Sequence, residues 1–319
     1  MKLIIQIPCY NEESTLPKTV ADLPRHIDGI DEIEYLIIND GSLDRTVEVA
    51  RELGVHHIVS FRQNRGLALG FMAGIDACLH LGADIIVNTD ADNQYCGADI
   101  AKLVQPILEG RADIVVGERP IDDIAHFSPF KKRLQRMGSL VVRITSGTNI
   151  PDAPSGFRAF SREAALRLNV TNAYTYTLET IIQAGNNRMA ITSVPIRTNE
   201  QTRKSRLFKS MWSYVQRSMT VIVRSYVMYR PLKVLGTLGI ATTLLGILLG
   251  IRFLIILFTQ GSAGHLQSLL LASLLIMLGV QVFVSGLLAD IVASNRKLLE
   301  DIQYRVRKIE CGEEREISK

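Results

Sequence analysis

The first two thirds of the chain alternate short apolar runs with longer stretches whose apolar residues recur at helical spacing. The short runs are continuously apolar, which is typical of strands buried on both faces of a parallel sheet. Helices between such strands cover the two faces, so the pattern predicts an α/β domain with a mainly parallel sheet. We predict strands at 3–7, 35–40, 56–61, 84–90 and 113–117, and helices at 14–24, 44–53, 66–81 and 97–109.

The last third of the chain differs, because residues 234–251 and 266–289 contain no charged side chain. As a helix the second run is about 36 Å long, which exceeds a hydrocarbon core of about 30 Å. The connector at 259–265 has no Lys or Arg, whereas basic residues flank the pair of runs. The positive-inside rule therefore predicts a transmembrane hairpin with both ends in the cytoplasm. Core helices of a soluble domain are the alternative interpretation.

Residues 207–230 are amphipathic and rich in aromatic side chains, which favours a helix lying in the membrane interface. A helix docked on the preceding domain is the alternative. The prediction is an integral protein of a bacterial or archaeal plasma membrane whose α/β domain is cytoplasmic. Its segments are the α/β domain at 1–206, interfacial helices at 207–231, the two-helix hairpin at 232–293 and a charged tail at 294–319. Small residues in "GTLGIATTLLG" allow helices to approach closely and are compatible with a homo-oligomer.

Composition narrows the class of protein. The 319-residue chain has a net charge of only +4, which does not indicate nucleic-acid binding. Its four cysteines form no C-x-x-C pair, as expected for a reducing compartment. Neither G-x-G-x-x-G nor G-x-x-x-x-G-K-[ST] follows the first strand, which argues against a dinucleotide-dependent dehydrogenase and a P-loop enzyme.

Polar residues collect where three predicted strands end. The first strand runs into "PCYNEES", the second into "NDGS" and the fourth into "TDAD". In an open α/β sheet, ligands bind beyond the carboxyl ends of the strands, so these loops predict one shared site. Helix capping is the alternative, with Ser14 and Asp44 as N-caps.

Three carboxylates on this edge need a further explanation. Asp40, Asp90 and Asp92 would repel one another unless a cation or a donor-rich ligand lay among them. Asp90, Asp92 and Gln94 also have the alternating spacing with which three oxygen donors can share one hard cation.

Six segments of the chain resemble one known family. They are "IPCYNEES", "INDGSLDRT", "NTDADNQY", "VVGERP", "DAPSGFRAFSREAA" and "TRKSRLFKSMWSY". Together they resemble family-2 glycosyltransferases of the GT-A fold. The C-terminal hairpin makes the chain similar to the membrane branch that loads sugars onto polyprenyl phosphates, typified by dolichol-phosphate mannose synthase and undecaprenyl-phosphate glucosyltransferases.

The resemblance implies a nucleotide-sugar site and a divalent metal. By this match, Asp90, Asp92 and Gln94 bind Mg²⁺ or Mn²⁺, which bridges the diphosphate of the donor. The side chains implied around the nucleotide-sugar are Pro8, Tyr10, Asn11, Glu12, Asp40 and Asp90.

The resemblance also implies a polyprenyl phosphate acceptor, whose oxygen is anionic at neutral pH and is positioned by cations. The cations implied are Arg119, Lys132, Arg133, Arg136, Arg203 and Arg206, and the residues implied in catalysis are Asp152, Arg119 and Arg133. Attraction to anionic lipid headgroups is the alternative for the basic clusters, and a turn next to proline is the alternative for Asp152. Glu179 is read either as a substrate contact or as a charge on a helix surface. The chain departs from the mannose branch at 203–206, where a Gly-x-Ser-Lys sequence is frequent.

The expected activity is inverting transfer of a sugar from a UDP- or GDP-sugar to a polyprenyl phosphate at the cytoplasmic face. One rival is a glycosyltransferase with a diacylglycerol or polysaccharide acceptor. Two spans are too few for a polymer channel, and a "QxxRW" motif is absent. The other rival is a non-catalytic nucleotide-sugar-binding membrane protein, which would have no reason to keep the carboxylates.

Overall fold

The structure is a computed structural model that describes residues 1–120, 129–170, 176–199, 216, 219–220, 223–224, 226–260 and 266–317. For 129–137, 260 and 313–317 it describes the backbone alone. The chain divides into two compact units. The first comprises Met1–Ile222 and Ile302–Lys319, and the second comprises Val223–Asp301.

A seven-stranded sheet in the order β3-β2-β1-β4-β6-β5-β7 forms the centre of the first unit. The first four strands are parallel, β6 is antiparallel to both of its neighbours, and β5 pairs with β7 in parallel. The predicted mainly parallel α/β sheet is therefore confirmed. The strands are β1 (Lys2–Cys9), β2 (Glu32–Asn39), β3 (His57–Ser60), β4 (Ile85–Asn88), β5 (Ile114–Glu118), β6 (Arg158–Ser161) and β7 (Ile191–Pro195).

Helices cover both faces of this sheet, which explains the continuously apolar strands. Ile5 and Ile37 belong to one hydrophobic cluster and Ile4 and Ile38 to another, and all four are fully buried. Burying one such side chain stabilises the fold by about 1.5–3 kcal/mol. The helices of the first unit are α1 (Leu16–Asp22), α2 (Thr46–Glu52), α3 (Leu67–His80), α4 (Ile100–Leu108), α5 (Pro129–Ser146), α6 (Arg162–Arg167) and α7 (Thr177–Asn186).

The five predicted strands are all present, but β6 and β7 were not predicted. β6 has four residues and begins with Arg158, whose charge interrupts the apolar pattern. β7 is only partly buried and includes Thr192 and Ser193. The insertion of β6 between β4 and β5 brings residues 152–158 to the carboxyl edge of the parallel strands.

Gly74 of α3 lets the helix approach the sheet closely. A Cβ atom at this position would overlap Gln6 Oε1 and would lie 2.8 Å from Ile38 Cδ1. At Gly70 the same atom would lie 3.7 Å from Ile38 Cγ2, which is an ordinary contact. Close packing of the helix on the sheet therefore accounts for glycine at position 74.

The second unit contains α8 (Pro231–Gln260) and the first part of α9 (Leu266–Ile317), two helices long and apolar enough to cross a membrane. Their most apolar windows are only 6% and 17% buried, unlike the core helix of a soluble domain, which is mostly buried. The two helices pack closely through glycine, because a Cβ at Gly239 would lie 2.7 Å from Gly279 O. A Cβ at Gly246 would lie 2.9 Å from Ala272 O. These small residues of α8 thus contact α9 within one chain, so they lend no support to the predicted homo-oligomer.

The end of α9 packs within the first unit. Arg307 donates to the Leu168 carbonyl oxygen at 2.6 Å and pairs with Asp76 at 2.9 Å. Cys311 is 2% exposed and belongs to the same hydrophobic cluster as α3 and α6. The predicted tail is therefore helical to residue 317, and residues 302–312 form a structural part of the α/β unit.

Candidate active site

The loops that follow β1 and β2 are tied together at the carboxyl edge of the sheet. Asn11 has a left-handed backbone with φ 56°, and its N–H donates to Ser42 Oγ at 3.0 Å. The Leu43 N–H donates to Asn11 Oδ1 at 2.8 Å. Asn11, predicted as a nucleotide contact, therefore also shapes the loop. Of its neighbours, Tyr10 is 39% exposed and Glu12 only 6%.

Neither Ser14 nor Asp44 occupies the N-cap position that the capping alternative gave it, since the N-cap of α2 is Arg45, but Asp44 still bonds to the start of that helix. Asp44 accepts the N–H of Thr46, the first residue of α2, at 3.0 Å, and the N–H of Glu13 at 3.2 Å. Ser14 is not the N-cap of α1, because that position is occupied by Thr15. Asp44 thus has a structural role, and the other polar residues of the edge need a different explanation.

Asp40 joins the end of β2 to the segment before α3. Its two carboxylate oxygens accept the N–H groups of Arg65 at 2.7 Å and Gly66 at 2.9 Å, and the side chain is 6% exposed. Gly41, with φ +70°, has no room for a side chain, because a Cβ would lie 2.5 Å from the Gln63 carbonyl carbon. Asp40 therefore fixes one wall of the predicted nucleotide pocket, whichever further contacts it makes.

Asp90 and Asp92 lie on the turn after β4. Burial, together with the charges of Asp92 and Glu12, raises the pKa of Asp90 from an ordinary value of 3.8 to about 7, although Arg119 acts in the opposite direction. Asp92 Oδ1 accepts the Gln94 N–H at 3.2 Å, which closes the turn. Of the three carboxylates predicted to share one site, Asp90 and Asp92 interact, and a cation between them would relieve their repulsion.

These side chains fit a divalent cation in their donor chemistry, since carboxylate and amide oxygens are what Mg²⁺ and Mn²⁺ prefer. Within the described parts of the chain, no group of three or more His, Cys, Asp or Glu side chains is arranged to hold a metal ion by itself. A cation at Asp90 and Asp92 would consequently need further oxygen ligands, such as the Gln94 amide or a bound diphosphate.

Arg119 and Asp152 form a two-pronged ion pair across the site. Arg119 Nε donates to Asp152 Oδ2 at 2.7 Å, Nη2 donates to Oδ1 at 2.9 Å, and the Arg119 backbone N–H lies 3.2 Å from Oδ2. Asp152 is fully buried, whereas the Arg119 side chain is 17% exposed. Asp152 is thus more than a turn residue, and the accessible member of the pair is the cation.

Beneath Asp90, a buried polar network that the sequence analysis missed holds Gly156. Asn88 Nδ2 donates to the Gly156 carbonyl oxygen at 3.0 Å and to the Tyr176 hydroxyl at 2.8 Å. The Gly156 N–H donates to the Tyr95 hydroxyl at 3.1 Å. A Cβ at Gly156 would lie 3.2 Å from Asp90 Oδ2, a tighter contact than side chains usually make, so glycine favours the close approach of this segment to the carboxyl group. The sequence signal was a polar Asn at the end of an apolar strand.

The remaining predicted residues divide into two groups. Glu179, in the first turn of α7, is 2% exposed, so the interpretation as a surface charge is wrong. Pro8 lies in β1 beyond the residues that pair with β4. Five predicted phosphate ligands lie outside the described residues, three of them on α5 with only their backbone described: Lys132, Arg133, Arg136, Arg203 and Arg206. Most of the predicted interfacial segment and the loop after Pro120 also lie outside the described residues.

Comparison with protein families gives a match over residues 4–168 to the model described as Glycosyl transferase family 2. A UDP-N-acetylglucosamine–dolichyl-phosphate N-acetylglucosaminyltransferase of Methanococcus voltae is 33% identical over 214 residues, covering 60% of this chain and 83% of the relative. A polyprenol monophosphomannose synthase of Mycolicibacterium smegmatis is 26% identical over 211 residues, covering 63% and 78%.

Among solved structures, this chain is similar to glucosyl-3-phosphoglycerate synthase from Mycobacterium tuberculosis in complex with Mn²⁺, UDP and glucosyl-3-phosphoglycerate. The TM-score is 0.54 at 19% identity, and the match covers 71% of this chain and 78% of that chain. At this identity the likeness supports the fold alone, and that fold is the GT-A arrangement expected from the sequence.

Proposed function

The chain belongs to glycosyl transferase family 2, and from that premise we propose that it transfers a sugar, with inversion, from a UDP- or GDP-sugar to a polyprenyl phosphate. The names of both relatives describe transfer to a lipid of this kind. The product would be a polyprenyl-monophosphate sugar.

We assign the nucleotide-sugar to the edge formed by the loops after β1, β2 and β4. Glu12 and Asp40 are buried there and can accept hydrogen bonds, which the ribose hydroxyls and base N–H groups of a nucleoside can donate. Asp90 and Asp92, with Gln94, would hold Mg²⁺ or Mn²⁺. When bound, that cation supplies positive charge to neutralise the leaving nucleoside diphosphate.

The observation that carries the proposal is the Arg119–Asp152 pair. Its buried carboxylate engages Nε and Nη2 of Arg119, while the guanidinium remains partly exposed. A guanidinium held in this way suits a phosphate, because the two bonds to Asp152 fix the plane of its N–H groups. We assign to Arg119 the contact with the acceptor phosphate and to Asp152 the orientation of Arg119.

The chemistry that follows needs no strong general base. An oxygen of the lipid phosphate, already anionic, attacks C1 of the sugar as the bond from C1 to the diphosphate oxygen breaks. The electron pair of that bond leaves with UDP or GDP, and no proton has to move. Asp152, whose oxygens are engaged by Arg119, therefore acts better as a positioning group than as a general base.

The membrane assignment belongs to the same proposal. We assign α8 and the apolar part of α9 to a transmembrane hairpin, with the α/β unit at the cytoplasmic face where nucleotide-sugars are made. A polyprenyl chain stays in the bilayer, so an enzyme that modifies its phosphate has to act at that surface.

The test is product formation by the purified chain in detergent with Mg²⁺ or Mn²⁺. The assay offers polyprenyl phosphate with UDP-Glc, UDP-GlcNAc, UDP-Gal and GDP-Man in turn, and detects lipid products by mass spectrometry. We expect one donor to give a metal-dependent polyprenyl-monophosphate sugar. Asp92→Asn should lower its rate by at least about a hundredfold, while Asp28→Asn, on the exposed surface, should match wild type.

Two results would overturn the proposal. Transfer to diacylglycerol or an oligosaccharide, with none to polyprenyl phosphate, would change the acceptor class. Binding of a nucleotide-sugar without any product would instead indicate a non-catalytic protein. Wild-type turnover by Asp92→Asn would remove the metal assignment alone.

A further inference from the structure

Arg158, the first residue of β6, is fully buried beside the candidate site. Its guanidinium donates from Nε to the Ser155 carbonyl oxygen at 2.8 Å and from Nη2 to the Ala153 carbonyl oxygen at 2.7 Å. The Nη1 group donates to Thr180 Oγ1 at 2.5 Å. Two of the three bonds therefore hold the segment that immediately follows Asp152.

The partners of this buried cation are unusual. The three acceptors recorded in the described part of the chain are neutral oxygen atoms, and burial lowers the pKa of the guanidinium to about 10. Removing a charge from water is costly. An apolar side chain of similar volume would fill the same space without that cost, but it would take away the donor that Arg158 gives to the Ala153 and Ser155 carbonyl groups. A role in packing alone does not account for the charge.

The geometry of the segment shows what the charge can do. The two bonds from Arg158 hold the Ala153 and Ser155 carbonyl groups and so fix residues 153–155. The Ala153 backbone nitrogen lies 3.3 Å from Ser139 Oγ. Asp152, one residue before the first of these carbonyls, then has its carboxylate held facing Arg119. The planar fork of a guanidinium can hold two carbonyl groups in a fixed arrangement, whereas the three N–H donors of a lysine ammonium rotate and fix no such plane.

We propose that Arg158 is a positioning residue for sugar transfer, which fixes the 153–155 carbonyl groups and thereby holds Asp152 in the orientation that directs Arg119 to the acceptor phosphate. The inference rests on the proposed function for the identity of the substrate. Arg158 would contact neither the nucleotide-sugar nor the lipid phosphate, and would affect the reaction by positioning Asp152.

The experiment compares Arg158→Met, Arg158→Lys and Thr180→Val in the full-length protein in detergent. Thr180→Val is the matched control, because it removes the third bond of Arg158 and leaves both carbonyl bonds in place. We expect both Arg158 variants to lower kcat about ten- to hundredfold, the effect of losing one or two charge-assisted hydrogen bonds. The donor KM should stay within about threefold of wild type, and Thr180→Val should keep kcat within about threefold, even if its Tm falls.

A double-mutant cycle separates positioning from a general loss of stability. In an Asp152→Asn background, adding Arg158→Lys should lower kcat by less than about threefold, because the group through which Arg158 acts is already altered. Multiplicative losses would overturn the proposal, as would wild-type kcat in Arg158→Lys. If Arg158→Met does not fold, Arg158→Lys carries the same comparison.

Hydrogen exchange tests the inference without turnover. Amides of residues 152–157 should exchange faster in Arg158→Lys than in wild type, and at the wild-type rate in Thr180→Val. Unchanged exchange in Arg158→Lys would refute the positioning role even in an active enzyme. If wild type forms no lipid product, the proposed function fails, whereas faster exchange in Arg158→Lys would still show that Arg158 holds the segment.

Discussion

Replacing Asp90 by Asn should stabilise the metal-free protein, and the gain should grow with pH. In the fold the pKa of Asp90 rises to about 7, because the carboxyl is partly buried and faces Asp92 and Glu12. In the unfolded chain the same group ionises near pH 4. The fold therefore favours the protonated carboxyl of Asp90. This preference contributes fully to the free energy of unfolding below about pH 4, and its contribution is lost as the pH rises through 7.

The magnitude follows from the difference between the two pKa values. The rise in pKa from 3.8 to about 7 means that ionising Asp90 at pH 8 costs the folded state about 4 kcal/mol more than the unfolded chain. Because Asp90 keeps part of its surface in water, we expect about half of this, roughly 2 kcal/mol. For a unit of this size that is a rise in Tm of about 4–8 °C in Asp90→Asn at pH 8, and almost none at pH 4.

The assay is thermal unfolding in detergent with EDTA at pH 5, 6, 7 and 8, for wild type, Asp90→Asn and the exposed control Asp28→Asn. The Tm difference between Asp90→Asn and wild type should increase over this range, while that of the control stays near zero. Adding Mn²⁺ should raise the Tm of wild type and of Asp28→Asn but not that of Asp90→Asn, and so reduce the difference between wild type and Asp90→Asn. A difference that is constant with pH, or a less stable variant at pH 8, would refute the electrostatic reasoning.

Two further changes test the packing of the first unit. Gly74→Ala should lower the free energy of unfolding by about 1–3 kcal/mol despite the better helix propensity of alanine, because the new methyl group overlaps Gln6 Oε1. Urea denaturation measures the loss. A stability equal to wild type would show that Gln6 can move aside. Arg307→Ala should lower the free energy of unfolding by about 1–3 kcal/mol, because it removes the bond to the Leu168 carbonyl and leaves Asp76 without this cation. An unchanged Tm would mean that the end of α9 does not stabilise the α/β unit.

The sheet and its carboxylate edge were predictable because they follow from local patterns. Continuously apolar runs located β1 to β5, and polar residues after three of them located the edge that carries Glu12, Asp40 and Asp90. In parallel strands this order of residues is enough, since every carboxyl end meets the same edge. The two apolar helices α8 and α9 were equally readable from composition.

The antiparallel part of the sheet was not predictable in the same way. β6 is short and begins with a charged residue, and its place between β4 and β5 breaks the sequential order of the strands. Its position depends on contacts made by side chains distant in sequence. Asn88, for example, bonds to Gly156 and Tyr176, which lie 68 and 88 residues further along the chain.

The Arg119–Asp152 pair shows why missing this contact changes the chemistry expected of the site. Considered separately, Arg119 was predicted as a ligand of the lipid phosphate and Asp152 as a catalytic or a turn residue, and neither prediction included a contact between the two. The structure joins them across 33 residues through two side-chain hydrogen bonds. A carboxylate that accepts two N–H groups from a guanidinium holds that cation rigidly in place. Because the phosphate oxygen is already anionic, a rigid cation serves its reaction better than a base would.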